Sequence, residues 1–119
     1  MFSCCVKMEM YDVMVAEVGK VGEKNHEYRS DTVYWVRRLF VDRDESRPKK
    51  FTHAMIFGGV HVPDVDGNWF IATWVGVKPI NVHGYRAGPY SNGALLEFEG
   101  RVWDIELGPM VQKHVCTRA

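Results

Sequence analysis

Residues 51–77, FTHAMIFGGVHVPDVDGNWFIATWVGV, form the densest apolar run in the chain, and the rest of the sequence has to pack around them. Phe51, His53, Met55 and Phe57 alternate with Thr52, Ala54 and Ile56, the two-residue period of a strand. Gly58-Gly59 allows a bulge or sharp bend, and Val60-His61-Val62 is read as continuing the strand beyond it. Pro63 favours a strand end, and residues 64–68, DVDGN, have turn chemistry throughout. Trp69, Ile71, Thr73, Val75 and Val77 then share one face of a second strand, with Phe70, Ala72 and Trp74 on the other. A strand apolar on both faces is covered on both sides. Residues 69–77 are therefore expected at the centre of the fold, with Trp69, Ile71 and Trp74 largely buried.

A chain of 119 residues suits one domain, with 1–7 and 110–119 as flexible tails, and is long enough to bury a core without disulfides. Fifteen basic residues balance fifteen acidic ones, which argues against general nucleic-acid binding. It leaves room for a local basic patch. Cys4, Cys5 and Cys116 are an odd set with no spaced framework, as in a reducing compartment. The start, MFSCCVKM, is too short and polar for a secretory signal, and no run approaches the length of a membrane span. The expected setting is cytoplasmic, without membrane partners.

Residues 8–18 fit a helix through Tyr11, Met14, Val15 and Val18, or a strand through Tyr11, Val13 and Val15; their valines favour the strand. Residues 19–31 are polar and glycine-punctuated, hence a loop. Residues 32–41, TVYWVRRLFV, have strand composition, with Asp31 as a possible helix cap in the alternative. Residues 42–50, DRDESRPKK, carry seven charges in nine positions, a solvated loop or a contact site for a charged partner. Residues 80–93 have no sustained period and read as a long loop. Residues 94–107 read as a closing hairpin turning at Glu99-Gly100, with Trp103, Ile105 and Leu107 inward and Asp104 and Glu106 outward.

The fold expected is mainly β: about six antiparallel strands as a small barrel or two-layer sheet, with a short terminal helix allowed. The alternative is α+β, an N-terminal helix on an antiparallel sheet. Candidate chemistry is sparse. His53, His61 and His83 can meet across a bent sheet, but their spacing is no recognised metal pattern, so no metal or cofactor is expected. Asp64, Asp66 and Asn68 resemble the start of a calcium loop in the wrong register. Glu97 and Asp104 fall on one hairpin face, outward, and Cys116 lies too near the chain end for a buried nucleophile. The leading reading is a non-catalytic domain for a small ligand or peptide. Its pocket lies under the 80–93 loop, lined by His53, Trp74, His83, Tyr85, Arg86 and Tyr90. Arg86 would orient an acidic or carbonyl-bearing ligand. The alternatives are a small hydrolase or isomerase with His53 or His83 as general base, and a homo-oligomer formed through open strand edges.

Overall fold

A computed structural model describes residues 1–17, 25–87 and 96–118, with residues 17, 25, 83–87 and 96–99 described by backbone alone. Its elements run β1 (Phe2–Val6), α1 (Met8–Glu17), β2 (Asn25–Ser30), α2 (Val33–Leu39), a 3-10 turn (Val41–Arg43), β3 (His53–Gly58), β4 (Asn68–Ala87) and β5 (Leu96–His114). The strands make one mixed sheet, ordered β1-β3-β4-β5-β2 and curled into a half-barrel. The mainly-β class therefore holds. Among the described residues the strands number five rather than six, and β1 runs parallel to β3 while the other pairs are antiparallel.

The 51–77 pair forms as its alternation requires. His53 to Gly58 pairs with Thr73 to Asn68, joined by a turn in which Asp64 Oδ1 accepts from Asp66 N and Asp64 O from Gly67 N. The strand stops at Gly58, so 60–62 do not extend it. Gly58 is required there, because a Cβ would lie 2.3 Å from Tyr11 Cγ of α1, and Gly59 turns away at a φ of 75°. Both faces of β4 are covered, but unevenly. Phe70 and Ala72 are fully buried in the main core beside Phe2, Ile56, Trp103 and Ile105. Trp69 is buried on the other face, while Ile71 and Trp74 are only half-buried.

Several expectations made from local pattern are corrected. Residues 1–7 are not a tail: Phe2, Cys4 and Val6 of β1 face the core. Residues 110–114 continue β5, and 116–118 are tied to the β3–β4 turn through Cys116 N to Asn68 Oδ1, Thr117 N to Asp66 O, and Arg118 with Asp64. Residues 8–17 are helix, and α1 buries Tyr11, Val13 and Met14. Residues 33–39 are helix too, capped by Thr32 rather than Asp31, with Leu39 buried and Trp35 and Val36 against the core. Of the polar segment 19–31, residues 25–30 are strand β2, and 19–24 lie outside the described residues. No turn occurs at Glu99-Gly100. Gly100, at a φ of 82°, sits opposite Val82 where the β4–β5 ladder slips, so the chain runs straight through as a bulged strand. Asp104 lies on the face opposite Trp103 and Ile105, as expected, but is buried there rather than solvated.

Candidate functional site

Helix α2 and the segment after it build an open groove. Leu39 O accepts from Lys49 N, and Val41 N donates to Arg47 O, each at 2.9 Å, with Phe40 bridged to Pro48. This clamp holds a tight loop whose Asp44 N donates to Val41 O and whose Arg47 N donates to Asp44 O. Asp42 and Arg43 are forced to φ values of 52° and 59°, left-handed backbone that non-glycine residues adopt at a cost. The groove has a volume of about 490 Å³ and is lined by Arg37, Phe40, Val41, Asp42, Arg43 and Lys49.

The electrostatics of this loop are lopsided. Asp42 faces Arg47 at 3.5 Å. Asp44 Oδ1 accepts from the Ser46 hydroxyl at 2.7 Å and from Ser46 N at 3.0 Å, hydrogen bonds that hold its carboxyl below the usual carboxylate value. Glu45 pairs with Arg101 of β5. The three carboxylates of the segment are thus engaged, whereas Arg37, Arg43 and Lys49 have no carboxylate partner among the described residues. Phe40, Val41 and Asp42 line the groove together with the three cations.

The opposite side of α2 uses the same residue types differently. Arg38 donates to Ser3 O of β1, and Arg29 of β2 donates to Cys5 O at 3.1 Å. Both guanidiniums also lie over the Trp35 ring, at 5.1 and 4.9 Å. They close the gap that the curl leaves between the two edge strands. Arg29 further pairs with buried Glu27 at 2.8 Å. Burial raises the Glu27 carboxyl above its ordinary value despite that pairing. The Cys4 thiol beside them is pushed up to about 12, by burial first and by the Glu27 charge second, so Cys4 is an inert core group.

The outer face of β2 and β5 carries a second polar cluster. His26 Nδ1 lies 2.5 Å from Asp104 Oδ1, with the Asp104 side chain only 7% exposed, and His26 Nε2 lies 3.9 Å from Glu106. His26 stacks on Tyr28. Sequence reasoning missed this pair because His26 sat in an apparent loop and Asp104 in an apparent outward position. The distance of 78 residues between them left no local signal.

The residues singled out from sequence are spread along the sheet. His53 begins β3, opposite Thr73, with Nδ1 3.0 Å from the Thr52 hydroxyl; among the described residues no carboxylate orients it. Trp74 packs against Phe2 and Phe51, with ring centroids at 5.2 and 5.0 Å, as part of the core margin. His83, Tyr85 and Arg86 lie on the far end of β4, not in a loop, and Tyr85 and Arg86 pair with Phe98 and Glu97. Trp74 and Tyr85 are eleven positions apart on that strand. Tyr90 and the rest of 88–93 lie outside the described residues. His61 is exposed, and among the described residues no group of three potential metal ligands converges. No described helix is long and apolar enough to cross a membrane. No protein-family model, curated protein or solved structure matches this chain.

Proposed function

We propose that this chain is a non-catalytic small-ligand binding domain, and that it holds an anionic group in the groove between α2 and residues 41–49. The observation that carries this reading is a cluster of cations: Arg37, Arg43 and Lys49 line one opening without carboxylate partners among the described residues, while Asp42, which lines it too, faces Arg47. Phosphate and carboxylate groups suit such a set, because guanidinium forks bind two oxygens at once and the lysine adds a mobile point charge. The hydrogen-bonded clamp supports the reading as well, since a site on a fixed loop loses little freedom on binding.

The test is calorimetric titration with inorganic phosphate at low salt. Saturable binding, about millimolar in strength, is expected for the wild type. It is lost in the Arg37→Ala/Lys49→Ala double variant and weakened by added salt. A wild type that shows no saturation, or a double variant that binds as well, overturns the assignment.

A second reading keeps the ligand, or a peptide, at the β4–β5 arm. Beyond Asn81 and Arg101 those strands have no other strand beside them among the described residues, and a two-stranded ribbon is marginal alone. His83, Tyr85 and Arg86 belong to that arm by backbone position. On this reading Arg86→Ala weakens binding and Arg37→Ala does not.

A further inference from the structure

Asp42 is the odd residue of the groove. It lines the same opening as Arg37, Arg43 and Lys49 and carries the opposite charge. Its contact with Arg47 is 3.5 Å long, between side chains that are 84% and 56% exposed. A solvent-facing ion pair of that kind holds its partners weakly. A carboxylate also has room for about four donors, so Arg47 leaves Asp42 able to accept from a ligand. The residue is fixed in place. Its backbone, left-handed at a φ of 52°, sits inside the loop that Val41 N to Arg47 O and Asp44 N to Val41 O keep closed. Asp42 is thus a stationary negative charge on the wall of a site for anions.

Resting on the anion-binding reading above, we propose that the groove takes a small free zwitterion: a phosphate among Arg37, Arg43 and Lys49, with an amine a few bonds away that meets Asp42. Three cations favour a doubly charged phosphate over a single carboxylate. A purely anionic ligand gains from those cations and is repelled by Asp42. A ligand that carries both signs matches the whole lining and escapes the repulsion, so Asp42 selects between the two. The volume of about 490 Å³ exceeds what a bare anion fills and falls in the range of pockets for small organic molecules. The chain as a whole balances fifteen basic against fifteen acidic residues, so its net charge adds no preference for a polyanion.

The experiment compares ethyl phosphate with O-phosphoethanolamine, which differ in the amine alone, by calorimetry on the intact chain at low salt. At about pH 8 both phosphates are doubly ionised and the amine is protonated. O-phosphoethanolamine should bind about threefold tighter, the scale of one exposed ion pair. In Asp42→Asn, a change that left-handed backbone tolerates, the gap should close because ethyl phosphate gains affinity, with the urea midpoint near that of the wild type. Equal affinities in the wild type, or a gap that survives in Asp42→Asn, overturn the zwitterion; saturable binding of both probes then leaves the anion groove standing. Binding of neither probe overturns both. The chain should not sediment with phosphatidylethanolamine vesicles, which display the same headgroup. Sedimentation that the Arg37→Ala/Lys49→Ala double variant abolishes overturns the free-ligand assignment in favour of a lipid.

Discussion

Arg37 and Arg38 are adjacent in sequence and lead opposite lives. Arg38 turns toward the sheet, where it caps a β1 carbonyl and covers Phe2 and Trp35. With Arg29 it closes the open side of the half-barrel. Arg37 turns away, to a groove in which Arg43 and Lys49 also lack carboxylate partners among the described residues. The contrast teaches that charge alone does not mark a binding site. A buried guanidinium held by an ion pair and a backbone carbonyl is a structural strut, because stripping one partner leaves the other stranded in a poorly solvating interior. An exposed set with no partners contributes little to folding and is available to a ligand.

That contrast gives an order of effects. Arg29→Met removes the cation paired with buried Glu27 and uncaps Cys5 O, so it should cost about 3–5 kcal/mol of unfolding free energy, measured by urea titration. A loss under about 1 kcal/mol would mean that the barrel gap is closed by something else. Arg38→Ala should cost less, about 1.5–3 kcal/mol, chiefly as the loss of the charge-assisted bond to Ser3 O. Arg37→Ala and Lys49→Ala should each lie within about 0.5 kcal/mol of wild type. If either proves strongly destabilising, the groove is structural and the contrast fails.

The pH dependence sharpens the same comparison. Glu27 has a raised folded value, so the folded chain holds its proton more tightly than the unfolded chain does. Its contribution to stability is complete below the ordinary value of 4.5 and is lost as pH rises through the raised folded value. Urea midpoints across that window should therefore fall with rising pH, less steeply in Glu27→Gln. A Glu27→Gln slope identical to wild type would remove this account. At the small end, Cys4 should resist thiol reagents in the native state, whereas exposed variants of the loop, such as Arg43→Cys, should label at once.

How much of this was legible in the sequence follows the same division between local and distant causes. The β3–β4 pair was legible because its alternation and the DVDGN turn are local. The loop at 42–50 was legible as charged and solvated, though not which of its charges are paired, since Glu45 meets Arg101, 56 positions away. β2 was not legible. NHEYRS has no apolar period, because its inward residues are Glu27 and Arg29, which become acceptable inside only by pairing with each other and with β1. α2 was misread because Val33, Tyr34, Trp35 and Val36 have strand composition, and tertiary packing of Trp35 and Leu39 overrode it. Gly100 imitated a hairpin turn because a glycine at positive φ serves a bulge equally well.

The open edges bear on self-association. Beyond the end of β3, the exposed edge of β4 holds Pro79, and beyond the end of β2 the edge of β5 holds Pro109. Neither can donate to an incoming strand, and β1 is closed by the two arginines. These devices weigh against homo-oligomers formed by edge pairing at those points, and leave the arm at 81–87 and 96–101 as the stretch where a second copy would pair.

The account stands or falls on where an anion goes. Backbone-amide NMR during a titration with inorganic phosphate reports that location directly. The account predicts saturable shifts at Leu39, Phe40, Val41, Asp42, Arg43 and Lys49, with β1 and β2 unmoved. Shifts confined to residues 81–87 and 96–101, or none at saturating phosphate, would contradict it.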